Sequence, residues 1–275
     1  MKLSEAFNYS VYFLSANGVD EAEFKSLCLV CSLDKIKNSE YEFHKEDEVP
    51  TKKLADYLWR LKSGEPLQYV LEKWDFYESE FVVGKGVLIP RPETEELTQL
   101  VIDEAKKLPS PVVYDLCAGS GCIGISVAKA VKSSVVYCVE KSTDALNYLR
   151  QNISQAENAA AVEGDVLKPE NIKSDSIDII VSNPPYIKSS DMNSLQKEVQ
   201  YEPKMALDGG VDGLDFYKEI PKLWYPFLKT NGCIFFEISE EQGKDVSDIL
   251  ASLGYREIKV LKDMYGNDRI VSAVK

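Results

Sequence analysis

The spacing of apolar and polar positions changes period along the chain, and each change predicts a different kind of structure. Up to about residue 65 the apolar residues recur at helical spacing. Asp20 with Glu23 forms a candidate capping pair ahead of a stripe of Phe24, Leu27, Cys28 and Cys31. The stripe stops before Asp34, which is expected to face water. Thr51 is placed to cap a further helix carrying Leu54, Leu58 and Leu61. The stretch between them, KNSEYEFHKEDEVP, is polar and turn-like. The pattern predicts a small helical bundle over residues 1–68.

Residues 69–92 read as a β-hairpin linker. Trp74–Tyr77 and Phe81–Val83 are short β-like runs, Gly84-Lys85-Gly86 is a turn, and Val87-Leu88-Ile89 follows. A helix opens after Pro92 and runs to about Leu108. From there strand and helix patterns alternate. Expected strands are Val112–Leu116, Val135–Val139, Ala160–Glu163, Ile177–Ser182, Cys233–Ile238, Glu257–Leu261 and Ile270–Val274. This alternation predicts an α/β domain over residues 93–275, with a mostly parallel, doubly wound, Rossmann-like sheet.

Composition narrows the function classes. The 275 residues are 44% hydrophobic and 28% charged, enough for one large domain and a small one. The 32 basic and 45 acidic residues leave a net charge of -13. Such a surface suits a protein or small-molecule substrate, and no direct nucleic-acid binding is expected. The start has no apolar signal core, and no run approaches a membrane span. The six cysteines are scattered, mostly in apolar runs, so a cytoplasmic setting is expected. Cys28 and Cys31 form a lone CxxC without a nearby histidine, and no metal is expected. His44 is the only histidine and is read as solvated within HKEDE. Its isolation argues against catalysis by a histidine dyad or triad.

Two segments carry candidate chemistry. Val112–Leu116 runs into Cys117-Ala118-Gly119-Ser120-Gly121-Cys122-Ile123-Gly124, a strand, a glycine-rich turn and a helix. With Glu140 at the end of the next strand, this fits a dinucleotide fingerprint. Asp115 favours another ligand. A carboxylate beside the turn repels a pyrophosphate and attracts the ammonium of a methionine moiety, directly or through water. S-adenosyl-L-methionine has that ammonium, a sulfonium and a ribose, and no phosphate. Glu140 can accept from both ribose hydroxyls, and Asp165 from the adenine amino group. Ala118, Gly119, Ser120, Gly121 and Gly124 in the turn, Val166 beside Asp165, and Asn183 complete the expected cofactor set.

The second segment is Asn183-Pro184-Pro185-Tyr186, which follows Ile177–Ser182. Two prolines fix φ and remove two N–H donors, and the residue before each is pushed into an extended conformation. The stiff corner presents the Asn183 side-chain oxygen and the Pro184 carbonyl, with Tyr186 as a flat face beside them. Two such acceptors can orient a planar NH2 group toward a sulfonium methyl. The expected catalytic residues are Asn183, Pro184 and Tyr186.

Asn183-Pro184-Pro185-Tyr186 is shared with N6-adenine and other amino methyltransferases. Further segments are more specific: Glu65-Pro66-Leu67-Gln68-Tyr69 with Phe76, Pro90-Arg91-Pro92-Glu93-Thr94-Glu95, and Glu202-Pro203 through Ala206-Leu207-Asp208-Gly209-Gly210-Val211-Asp212-Gly213-Leu214. With these the chain resembles the HemK/PrmC family over almost its whole length. These are protein-(glutamine-N5) methyltransferases acting on peptide chain release factors. The resemblance implies a class I methyltransferase sheet using S-adenosyl-L-methionine, with the glutamine of a Gly-Gly-Gln motif as acceptor. It also implies that the N-terminal bundle helps to dock the factor. Carried over, Asn183, Pro184, Pro185 and Tyr186 hold the glutamine, and Pro92, Glu93 and Thr94 lie near the reacting centre. One departure is Glu72, where the family usually places a glycine. The segment 187–215 reads either as a lid or as a surface loop. Three alternatives remain: an N6-adenine DNA or RNA methyltransferase, a glutamine methyltransferase acting on a ribosomal protein, and a non-catalytic partner module that binds S-adenosyl-L-methionine or a nucleotide.

Overall fold

The computed structural model describes residues 1–275 and divides into two compact units. The first comprises Met1–Lys73 together with Gln196–Tyr201. Its helices are α1 (Leu3–Ala16), α2 (Ala22–Asp34), α3 (Thr51–Lys62) and the short α4 (Leu67–Leu71). Leu3, Leu14, Leu29, Leu54 and Leu58 are fully or almost fully buried between them.

Several local expectations change here. Glu21, in a left-handed conformation, precedes α2, so Asp20 and Glu23 form no capping pair. Pro50, not Thr51, is the residue before α3. The buried face of α2 is Lys25, Ser26, Cys28, Leu29, Val30, Cys31 and Leu33, whereas Phe24 is exposed. Burying Lys25 is tolerable because its Nζ reaches Glu198 Oε1 at 2.6 Å. The Tyr201 hydroxyl donates to the Ser63 carbonyl at 2.8 Å, which secures the returning segment. Asp34 is mostly buried and lies 3.7 Å from His44 Nδ1, which in turn lies 2.7 Å from Asp47 Oδ2. Neither Asp34 nor His44 is simply solvated.

The linker also begins differently. Residues 67–71 form α4, so the first part of the expected linker is helical. Arg60 holds it: the guanidinium pairs with both oxygens of Glu65 and donates to the Tyr69 carbonyl at 2.9 Å. Glu72 ends the helix with φ 62, the left-handed conformation that a glycine adopts without strain. Next, β1 (Lys73–Phe76) and β2 (Ser79–Val82) form a two-stranded sheet. The chain turns between them at Tyr77, also at positive φ, and turns again at Gly84-Lys85-Gly86, where the Val87 N–H donates to the Gly84 carbonyl at 3.2 Å. Residues 87–89 lie outside any strand.

The second unit comprises Trp74–Leu195 and Glu202–Lys275. Its elements are α5 (Pro92–Ala105), β3 (Val112–Leu116), α6 (Cys122–Ala130), β4 (Val135–Glu140), α7 (Thr143–Asn152), β5 (Ala159–Glu163), β6 (Ile177–Ser182), α8 (Asp215–Trp224), β7 (Leu228–Glu237), α9 (Gly243–Ser252), β8 (Arg256–Lys262) and β9 (Asp268–Val274). The seven-stranded sheet has the order β5-β4-β3-β6-β7-β9-β8. All neighbours are parallel except β9, which is antiparallel to both β7 and β8. One apolar cluster packs α5, α6 and α7 on one face of the sheet, with Phe76 and Phe81. The other joins Tyr217, Ile220, Trp224, Val246 and Leu250 of α8 and α9 to the opposite face. Both faces are thus covered, and the central strands read as continuous apolar runs for that reason. No helix is long and apolar enough to cross a membrane.

Candidate active site

Strand register builds the site. Leu116 pairs with Val139 and with Ser182, and Ser182 pairs with Phe236. One step further along each strand therefore stand Glu140, Cys117, Asn183 and Glu237, a row along the carboxyl edge. The chain proceeds outward from β3 through β4 to β5, then resumes on the other side of β3 with β6. Ligands bind at such a reversal in open α/β sheets.

The glycine-rich turn occupies the β3 end. Gly121 caps α6 at φ 83, which suits a residue without a side chain. A Cβ at Gly124 would lie 2.5 Å from Cys138 Sγ and 3.0 Å from Asp115 Oδ2, so α6 can approach the sheet only with glycine there. Asp115 is fully buried behind this turn. Its Oδ2 accepts the Gly124 N–H at 2.9 Å, while Oδ1 has no hydrogen-bond partner. Burial, opposed by the Gly124 bond, pushes its carboxyl up to about 7.

Glu140 is pinned by backbone donors. Its Oε2 accepts from Gly119 at 2.8 Å, and its Oε1 accepts from Lys141 at 2.8 Å and Ser142 at 2.7 Å. These contacts fix the carboxylate and leave lone-pair directions for a ligand. Asp165 accepts the Leu167 N–H at 3.0 Å and pairs with Lys141 Nζ at 2.9 Å. Burial pushes its carboxyl up, but the Lys141 and Leu167 bonds outweigh this and hold it below the ordinary range.

At the β6 end, the Ser182 hydroxyl donates to the Leu116 carbonyl at 2.6 Å. Pro184 and Pro185 are buried, and Asn183 and Tyr186 are half-buried. Gln242 Nε2 donates to the Tyr186 carbonyl at 3.1 Å and holds the far side of the corner. Asn183 Nδ2 donates to Thr94 Oγ1 at 3.3 Å, and Thr94 Oγ1 donates to Glu237 Oε2 at 2.6 Å. Burial pushes the Glu237 carboxyl up to about 7, and burial likewise raises the Tyr186 phenol.

A single cavity joins these parts. Thr94, Ala118, Gly119, Ser120, Glu140, Asp165, Val166, Asn183 and Pro185 line it. Asp115, Gly121, Gly124, Pro92, Glu93, Pro184 and Tyr186 are not part of its lining. The sequence reading missed Glu237, Lys141 and Gln242, and it noted Glu202 only as part of a family segment, without a role. Glu237 had a usable signal, because it ends an apolar strand just as Glu140 does. The cavity also draws Pro203, Met205 and Ala206 from the segment 187–215.

The fold and this site define the chain as an α/β methyltransferase of class I. A family model described as the methyltransferase small domain matches residues 89–209, and one described as the PrmC N-terminal domain matches residues 5–71. The release factor glutamine methyltransferase of Clostridium acetobutylicum is 39% identical over 87% of this chain and 85% of its own length. That of Fusobacterium nucleatum is 36% identical over 98% of this chain and 78% of its own. That of Bacillus cereus is 34% identical over 99% of each. The chain belongs to the release factor glutamine methyltransferase family.

Proposed function

We propose that this chain transfers a methyl group from S-adenosyl-L-methionine to the side-chain amide nitrogen (N5) of the glutamine in the Gly-Gly-Gln motif of peptide chain release factors. One observation carries the reading: Asn183, on its double-proline corner, lines the same cavity as Glu140 and Asp165. Acceptor and donor sites are therefore contiguous.

The residues present fit the proposed donor. Asp115 keeps an unspent oxygen behind the glycine turn, suited to a cationic group directly or through water. Glu140 and Asp165, both lining the cavity, offer acceptors for the ribose hydroxyls and the adenine amino group. Bound S-adenosyl-L-methionine supplies an electrophilic methyl on a positively charged sulfur.

A carboxamide nitrogen is a weak nucleophile because its lone pair is delocalised. Asn183 Oδ1 and the Pro184 carbonyl each accept one N–H of the glutamine, which turns the nitrogen toward the methyl carbon. The methyl carbon that bound S-adenosyl-L-methionine would supply, with the carbon–sulfur electron pair left on sulfur, would then lie in line with the nitrogen held by Asn183 and the Pro184 carbonyl. The same acceptors stabilise the positive charge developing on nitrogen, which then sheds one proton. Tyr186 packs beside the flat amide.

Residues 1–68 are read as the docking part for the factor, and the enzyme as cytoplasmic. The net charge of -13 supports a protein partner over a nucleic acid. The test is incubation with labelled S-adenosyl-L-methionine and a purified release factor, beside DNA and ribosomal-protein controls. Mass spectrometry is expected to place the methyl on the motif glutamine. Label entering DNA instead, or no label in the factor, refutes the reading.

A further inference from the structure

The geometry points to Thr94 and Glu237 as positioning residues that decide which atom of the Asn183 amide faces the methyl acceptor. This rests on the reading of Asn183 given above. A hydroxyl has one proton, and Thr94 spends it on Glu237 Oε2 at 2.6 Å. Only lone pairs remain on Thr94 for Asn183, so Asn183 meets it with Nδ2, at 3.3 Å. The amide oxygen lies on the other side of the group and is kept as an acceptor. If the Thr94 proton turned to Asn183 instead, the amide would reverse. Its NH2 would then oppose the NH2 of the glutamine, donor against donor.

The relay is sealed. Thr94 and Glu237 are each 2% exposed, so little water reaches either group. The Thr98 hydroxyl donates to the Thr94 carbonyl at 3.0 Å and steadies the start of α5. Tyr217 donates to the Glu237 carbonyl at 2.6 Å and steadies the end of β7. The charged and titratable groups acting on the Glu237 carboxyl are Arg91 just before α5, Glu93 in its first turn, Arg269 on β9, Tyr186 in the corner, Tyr217 on α8 and Cys122 on α6.

The direction depends on an ionised Glu237. A protonated carboxyl can donate to Thr94, which releases the Thr94 proton toward Asn183 and reverses the relay. Burial holds Glu237 up at about 7, so kcat is expected to fall as pH drops through that region.

The test uses the full-length enzyme, a purified release factor and steady-state kinetics. Thr94→Val removes the hydroxyl at nearly constant volume. It is expected to lower kcat on the order of 10- to 100-fold with the Kd for S-adenosyl-L-methionine little changed, and to lower the melting temperature by a few degrees because the buried Glu237 carboxyl loses its donor. Thr94→Ser restores the hydroxyl and most of kcat. Glu237→Gln loses the acid-side fall in kcat that the wild type shows. The relay is overturned if Thr94→Val keeps at least half of wild-type kcat, if Thr94→Ser is as impaired as Thr94→Val, or if Glu237→Gln and wild type share one kcat–pH profile. An inactive Asn183→Ala beside a fully active Thr94→Val refutes the relay alone. A wild type that leaves the glutamine unmodified refutes the function beneath it.

Discussion

The Glu202 carboxylate accepts the backbone N–H of Ile89 at 2.9 Å and also pairs with the Arg91 guanidinium. Ile89 and Arg91 line the cavity from one side, and Pro203, next to Glu202, lines it from another. Glu202 is almost fully buried, so a single side chain ties the approach to α5 to the strap over the site. Glu202→Ala leaves a buried N–H and part of a guanidinium unpaired. It should cost about 1.5–3 kcal/mol of stability and weaken S-adenosyl-L-methionine binding. Urea denaturation and calorimetric titration check this. A loss smaller than about 0.5 kcal/mol would remove Glu202 from this role.

Asn183→Ala separates acceptor from donor. The variant keeps Glu140, Asp165 and the glycine turn, while the Thr94 hydroxyl loses only a donor to its lone pairs. Transfer should fall at least 100-fold, with the Kd for S-adenosyl-L-methionine changing less than about threefold. Comparable loss of binding and of turnover would make Asn183 a cofactor residue instead.

Gly209→Ala tests the corner from behind. A Cβ there would lie 2.7 Å from the Pro185 carbonyl oxygen and 2.7 Å from Tyr186 Cα, both backbone atoms. Backbone cannot rotate aside as a side chain does, so the corner must shift. Stability should drop about 1–3 kcal/mol, and the remaining folded enzyme should show reduced kcat with cofactor affinity largely kept. Unchanged kcat in folded Gly209→Ala would show that the corner tolerates displacement.

The sheet was legible because its central strands are buried on both faces and stand out as unbroken apolar runs. Glu140 was readable as a candidate because it ends β4, and Asp165 because it lies two residues past the end of β5. The relay behind Asn183 was not, since Thr94 and Glu237 meet only through tertiary packing. Segment 187–215 was equally opaque. It is shared between the two units, with Gln196–Tyr201 in the first and Glu202 onward in the second. The α2 stripe misled because Lys25 looks like a surface residue until Glu198 is placed beside it.

Glu72 marks a place where a side chain is tolerated at a cost. Its φ of 62 is left-handed. Glu72→Gly removes the Cβ clash but adds backbone freedom to the unfolded chain. The net effect should be a gain of about 0.5–1 kcal/mol. Chemical denaturation checks it, and a loss of stability would mean that the Glu72 charge near Arg60 and Lys53 outweighs the strain.

Asp115 should make both stability and cofactor binding depend on pH, in opposite senses. Its carboxyl rises from 3.8 to about 7 on folding, chiefly through burial. Between those values the folded protein holds a proton that the unfolded chain has released, so stability falls as pH rises through the window. Glu237 is raised in the same way, so Asp115→Asn should flatten this slope only in part. A cation beside Asp115 favours the ionised form, so binding of S-adenosyl-L-methionine should expel the proton and tighten as pH rises toward about 7. Calorimetry at about pH 6 in two buffers of different ionisation heat should then report proton release in the wild type and less in Asp115→Asn. Equal heats in both buffers for the wild type would mean that the buried carboxyl does not sense the bound ligand.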